Sequence, residues 1–465
     1  MPKKAVAIYF IAAFIGAVLF VFFTFPRTKD EIPKSNNQRP FPSAPAPGPD
    51  GVPVPETVPR PTPPKVPPGP TLRVMAWATG DEAKTLEAEA DAFQAATGRS
   101  ASLTIVNDQG VYRHDLRAAL NSTTPPDLCL ISSRDFSGLN PAVELADATP
   151  LAGTAPRSIA AFTVDGQIKA VPAEFSVEVL FYNPSFFDQA AIGYPARHWT
   201  WDILEADARA LASLKLTNDA KESIYPLELP ANFDLWNILC TETGHPALDL
   251  ATWHMTEPLS QESQMRAFDL IHELFQQTEV TAPLPKAGQA PGQLFAQQRA
   301  ALLIAPSEFA ASLPNFHYGM TFLPSDISRA SLARVNGWGV TSRSTQQEAA
   351  HTLAAYLAWK PVHTGWSSVQ KPPDGDTPEA VCYEALGHAV IPRIEPRAEP
   401  LAQFLDHQID LLARDPGQKT DALYSQVQNV YRSGMASPSS DDAQTEAAGL
   451  KPALQVPNGA QLRGF

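Results

Sequence analysis

Cysteine is scarce in this chain of 465 residues: Cys129, Cys240 and Cys382 are its three. Their odd number and wide spacing exclude a disulfide framework and a CxxC metal site. Cys129 and Cys240 stand in apolar runs, where a buried free thiol is expected. The histidines are scattered, and His272-Glu273 is followed at the fourth position by Gln276, so the HExxH metal motif is incomplete. GxSxG, Walker and dinucleotide fingerprints are also missing, so no catalytic residue, metal or cofactor is expected. Basic residues are short as well, 35 Lys+Arg against 49 Asp+Glu. Without residues 1–71 the balance is 27 to 45, a formal charge of −18. Such a surface repels phosphate backbones and argues against a nucleic-acid partner.

What the chain does have begins at its amino end. Residues 5–25 form a nearly unbroken apolar run, long enough to cross a bilayer as a helix. Lys3 and Lys4 precede it, so residues 1–4 should be a cytoplasmic tip and the rest exported. A cleaved signal peptide is the alternative. Against it, the run exceeds a usual signal core and ends in Phe22-Phe23-Thr24-Phe25-Pro26 instead of small residues. The expectation is an anchor in the inner (cytoplasmic) membrane, with the folded part in the periplasm or outside the cell. Residues 26–71 follow as a Pro-rich disordered linker, with 15 prolines between positions 33 and 70. A segment so poor in large apolar residues should form an extended polyproline spacer that packs on nothing. Residues 434–465 read as a disordered tail.

The globular part reads as α/β. Leu72-Arg73-Val74-Met75-Ala76-Trp77 is strand-like, and Leu86, Ala90 and Phe93 then fall at helical spacing before Gly98. Leu103-Thr104-Ile105-Val106, a short helix with Leu116 and Leu120, and Leu128-Cys129-Leu130-Ile131 complete a strand–helix–strand–helix–strand pattern. That alternation predicts a parallel sheet with ligands beyond the carboxyl ends of its strands. Further on come a strand through Val177–Tyr182, a helix from Trp201 capped by Thr200, and helices near 346–360, 401–414 and 421–432.

Six segments, in order, resemble the carbohydrate-binding family of extracellular solute-binding proteins of ABC importers, the maltose-binding type. They are the first helix ending Phe93-Gln94-Ala95-Ala96-Thr97-Gly98; Pro126-Asp127-Leu128; Asp165-Gly166-Gln167 through Val171-Pro172 to Tyr182-Asn183; Thr200-Trp201-Asp202; Phe295 to Ala301; and Phe322-Leu323-Pro324 with Asn336-Gly337-Trp338-Gly339. The resemblance covers about residues 72–432. Gln298 replaces the family's usual glycine before the basic residue, and no lipobox cysteine is present.

The resemblance implies a two-lobed periplasmic-binding-protein fold, type II-like. Lobe 1 would comprise 72–175 plus 337–388, and lobe 2 would comprise 176–336 plus 389–433. Hinge-crossing segments are expected near 173–177, 322–336 and 389–394. It also implies a monomer that captures a sugar or sugar-like small solute and delivers it to an ABC transporter permease, with no bond-making chemistry. Sugar sites combine flat aromatic faces with planar polar groups. The matching positions are Trp77, Asp81, Glu82, Arg134, Asp135, Phe233, Trp236, Glu308, Phe309 and Trp338. Each aromatic among them has a core alternative, and Asp81, Glu82, Arg134 and Asp135 could form a solvated face. Trp338, between two glycines, is the favoured ligand platform; Trp199 and Trp201 are assigned to packing. Leu401 stands where maltose binders commonly carry an aromatic, which argues against a maltodextrin-length groove. Two rival readings stand beside it: a tethered solute sensor or scaffold of the same fold, and an envelope glycan hydrolase with paired carboxylates.

Overall fold

In the computed structural model the described residues are 60–435, apart from 219, 244–260, 287–289, 315, 370–376 and 393–398. The apolar run 5–25, most of the expected linker and all but two residues of the expected tail lie outside them. Among the described residues no helix is long and apolar enough to cross a membrane.

Eight of the strands among the described residues organise the main sheet: β1 (Leu72–Trp77), β2 (Ala101–Val106), β3 (Leu128–Ser132), β4 (Val171–Tyr182), β5 (Tyr225–Glu228), β6 (Ala300–Pro306), β7 (Gly319–Thr321) and β8 (Ser331–Val340). The path of the sheet is β2-β1-β3-β8-β4-β6-β5, with β7 also paired to β4. β1 runs parallel to β2 and β3, as the alternating pattern predicts. β8 is antiparallel to both β3 and β4.

Two strands carry the chain between lobes. The first half of β4 pairs with β8, whereas residues 178–182 pair with β6 and β7. β8 starts beside Ala389–Val390 and ends against β3. The expected crossings at 173–177 and 322–336 therefore fall on or lead into these strands. The third, at 389–394, starts on the Ala389 pairing and passes outside the described residues.

Two apolar cores flank the crossing. One gathers Leu72, Phe93, Leu128, Phe162, Trp338 and Leu353. The other gathers Leu204, Trp236, Phe268, Leu302, Leu405 and Ile409. Their helices follow local rules. The helix α1 (Gly80–Thr97) starts on a capping box between Thr79 and Glu82 and stops at Gly98, whose φ of 79° suits glycine. α2 (Gln109–Leu120) is capped by Asp108 and α3 (Trp201–Ser213) by Thr200. Lobe 2 continues with α4 (Phe233–Glu242) and α5 (Gln261–Gln276); lobe 1 receives α6 (Gln347–Leu357) and α7 (Pro378–His388). α8 (Glu399–Arg414) and α9 (Thr420–Met435) return to lobe 2, α9 running two residues into the expected tail.

The expected linker is corrected at its end. Residues 60–71 pack on lobe 1: Arg60 pairs with Glu89 at 2.7 Å and lies 3.9 Å from the centre of the Tyr356 ring. Val66 is buried, and the Pro67 carbonyl accepts from Arg99 at 3.1 Å. Proline-rich backbone makes no internal hydrogen bonds, so its carbonyls are open to a neighbouring donor. One valine and two arginines, Arg60 on the strap and Arg99 on the lobe, hold it there. A cavity of about 490 Å³ lies beneath this strap, lined by Pro61, Pro63, Pro150, Tyr356 and Trp359 among others, outside the lobe junction.

Candidate functional site

The polar groups of the junction come from the pleat of β4. Glu174, Ser176 and Glu178 alternate with Phe175, Val177 and Val179, so the three polar side chains share one face. All three are buried. Across the ladder, Arg334 stands opposite Ser176 and Asn336 opposite Glu174, which puts five polar side chains on one face of the two crossing strands. A register shift between Asn336 and Gly337 ends that row.

Glu174 is fully tied. Its carboxylate accepts from Asn336 Nδ2 at 2.9 Å, from the His363 backbone N–H at 3.0 Å and from His363 Nδ1 at 2.5 Å. Burial pushes its pKa up, but the His363 charge and these bonds outweigh burial and hold it below the ordinary carboxylate value. Burial alone would lower the His363 pKa; Glu174 reverses that and raises it. The His363 ring stacks on Trp77 with centroids 5.0 Å apart.

Arg334 spans the junction. Its Nη2 donates to Asp234 on α4 at 2.5 Å, and its Nη1 lies 3.7 Å from Glu178. Glu178 is nevertheless pushed up to about 8: burial comes first, Arg334 opposes it, and the nearby Asp234 and Glu308 charges add to it. Burial also raises Glu308, with Arg334 opposing. Asp406, on α8, accepts from the Phe233 N–H at 2.6 Å. Burial raises its carboxyl, while the Phe233 bond and the Arg134 charge from lobe 1 act the other way.

The ten expected site residues divide. Trp77, Glu82, Arg134 and Glu308 reach the junction: Trp77 through His363, Glu82 through its charge on His363, Arg134 through Asp406, and Glu308 through Arg334. Glu82 also caps α1 by accepting from the Thr79 N–H at 3.0 Å. Asp135 is engaged by Arg113 at 3.0 Å. Phe309 stands edge-on to Phe181. Asp81 is corrected to a surface residue paired with Lys84, because the first turn of α1 directs it outward.

Three aromatics are corrected to core. Phe233 and Trp236 are buried in lobe 2, where Trp236 stacks on Phe268 at 5.1 Å. Trp338 is 0% exposed. A Cβ on its neighbour Gly337 would lie 2.7 Å from Phe162, and one on Gly339 would lie 2.4 Å from Ile131. The glycines thus admit core side chains and leave no open ring face. Conversely, Glu174, Ser176, Glu178, Asp234, Arg334, Asn336, His363 and Asp406 were not among the expected residues. The signal for most of them was polar residues at period two inside otherwise apolar strands.

The cysteines are all buried, and burial pushes the Cys129 thiol up to about 12. Among the described residues no group of three or more His, Cys, Asp or Glu could hold a metal ion.

No curated protein sequence matches the chain. Solved structures match its fold. One is an ABC substrate-binding protein of Listeria monocytogenes in complex with cycloalternan, at 18% identity and a TM-score of 0.64, covering 79% of this chain and 99% of that one. Another is the GacH receptor of Streptomyces glaucescens, described unliganded and with acarbose, at 16% identity and 0.63, covering 80% and 100%. A Thermus thermophilus protein bound with maltotriose matches at 16% and 0.59, covering 78% and 100%. These identities speak to the two-lobed fold alone. Residues 88–371, well over half of the chain, match the family profile of the bacterial extracellular solute-binding proteins, and the chain belongs to that family.

Proposed function

We propose that this protein is the tethered capture component of an ABC importer, binding a sugar or sugar-like solute between its lobes and presenting it to a permease. The observation that carries the reading is the polar row on β4 and β8, where Glu174, Ser176, Glu178, Arg334 and Asn336 sit on the strands that join the lobes. Groups placed there act on both lobes at once, so a ligand that contacts them stabilises a closed arrangement over an open one. The work is binding coupled to closure, without bond-making. The oligosaccharides held by the similar structures from Listeria and Thermus agree with a hydroxyl-rich ligand. The apolar run 5–25 serves as the anchor that keeps the lobes at the outer face of the membrane.

The test is a thermal-shift and small-angle scattering screen of the full chain against sugars, sugar acids, polyols and oligosaccharides. A ligand at a hundredfold excess over its Kd stabilises the folded state by about 2.7 kcal/mol. The correct solute should raise Tm and compact the particle; compaction by none of them would count against the reading. Resistance of the membrane-bound protein to alkaline extraction tests the anchor.

A further inference from the structure

Besides Glu82, whose charge acts on His363, and Asp406, which faces the Arg134 charge, four acidic side chains meet at the junction, and they are unequally matched. Glu174 is matched by His363 and Asn336, and Asp234 by Arg334 at 2.5 Å. Glu178 has only the far arm of that same arginine, 3.7 Å away, and Glu308 makes no ion pair among the described residues. Ser176 supplies an independent sign of a ligand. The residue is 7% exposed, its Oγ has no hydrogen-bond partner among the described residues, and it sits on the β4 face between Glu174 and Glu178, opposite Arg334. A buried hydroxyl left without a partner is costly unless something else bonds it.

Four of the expected flat platforms, by contrast, are packed. Phe233, Trp236 and Trp338 belong to the cores, and the Trp77 ring is covered by His363, with Tyr112 tilted against it at 5.0 Å. What the junction offers among the described residues is two buried carboxyls short of a counter-charge and a free hydroxyl, with the expected aromatic platforms of the lobes already packed.

We infer that the solute carries a positively charged nitrogen beside its hydroxyls, as an amino sugar does, with the ammonium against Glu178 and Glu308 and a hydroxyl on Ser176. The inference rests on the solute-capture reading above and narrows its ligand class. An ammonium would supply the missing counter-charge in a low-dielectric setting, where a pairing is far stronger than in water. It would also favour the ionised form of Glu178, which burial and the Asp234 and Glu308 charges otherwise disfavour. A neutral hydroxyl in the same place would leave Glu178 and Glu308 without a counter-charge. The acidic balance of the whole chain, −14, steers cations toward it.

The experiment is calorimetric titration of the full chain with matched probes: glucosamine against glucose, and deacetylated chitotriose against N-acetylated chitotriose and maltotriose, with spermidine as an amine without a sugar. The amine of a pair should bind at least tenfold more tightly than its neutral counterpart. Glu178→Gln, isosteric with the protonated acid, should fold normally and cut that preference about tenfold. Ser176→Ala should weaken both members of a pair alike. Neutral or acetylated probes binding as tightly as the amines would overturn the inference and leave sugar capture standing. Spermidine binding with no saccharide binding would do the reverse, supporting the charge requirement while removing the sugar. No binding by any probe to folded protein would overturn both.

Discussion

Glu174 holds His363 by two bonds at once, accepting from its Nδ1 at 2.5 Å and from its backbone N–H at 3.0 Å. The pair fastens the segment after α6 to the crossing strand β4 and fixes the ring that covers Trp77. A lowered Glu174 stabilises the fold above its ordinary value of 4.5, and that contribution disappears as pH falls through the depressed folded value. A raised His363 stabilises fully below 6.5, and its contribution disappears as pH rises through the elevated folded value. The bond is therefore worth most between these two values.

His363→Leu keeps bulk against Trp77 and removes the charge. Breaking a buried pair costs about 3–5 kcal/mol, and the Asn336 bond that remains places this loss at the lower end. Urea unfolding across pH should show the difference from wild type largest between about pH 5 and 6.5 and shrinking above it. A difference that grows toward pH 8 would contradict the pairing.

Glu242 behaves oppositely. It is buried at the end of α4, accepts from Trp201 Nε1 at 2.7 Å, and is raised well above 4.5, by burial first and by Asp326, with Trp201 opposing. Wild type then loses stability as pH rises from 4.5 toward the folded value. Glu242→Gln should be more stable than wild type at pH 7–8 and close to it near pH 4. Trp201→Phe strands the carboxyl and should cost about 1–3 kcal/mol. Thermal melts at three pH values decide both.

Docking of residues 60–71 makes the strap part of lobe 1. Chains beginning at residue 59 and at residue 72 should differ in stability. Burial of the Val66 side chain alone contributes up to about 1.5–3 kcal/mol, and the Arg60–Glu89 pair is lost as well. Equal melting temperatures would mean that the strap rests on the lobe without supporting it.

Much of the fold was legible because it rests on local rules. Thr79 and Thr200 cap helices, Gly98 ends one, and the apolar strands separated by helices give a parallel sheet. The site was less so, for a physical reason. Glu178 was visible inside a strand, yet only the register that sets Ser176 opposite Arg334 and Glu174 opposite Asn336 joins the polar residues of two distant strands into one row of five. His363 lies outside the main strands and helices and reaches Glu174 across 189 residues of chain. The strap escaped because composition reports how little a segment can bury, and one buried valine is little.

Trp338 tests that lesson most sharply. Between Gly337 and Gly339 it reads as a ring with open space on both sides, but the space belongs to Phe162 and Ile131. A fully buried tryptophan truncated to alanine costs about 3–5 kcal/mol, so Trp338→Ala should lower Tm strongly while the folded fraction keeps its affinity for ligand. Gly337→Ala should also destabilise, by about 1–3 kcal/mol, since its Cβ would meet Phe162 at 2.7 Å and the Val171 carbonyl at 2.8 Å with backbone on one side unable to yield. Glu178→Gln should show the contrary pattern, with Tm retained and amine preference reduced. Were Trp338→Ala to melt like wild type and bind poorly, the ring would face ligand after all, and core aromatics would no longer be separate from the polar row on β4 and β8.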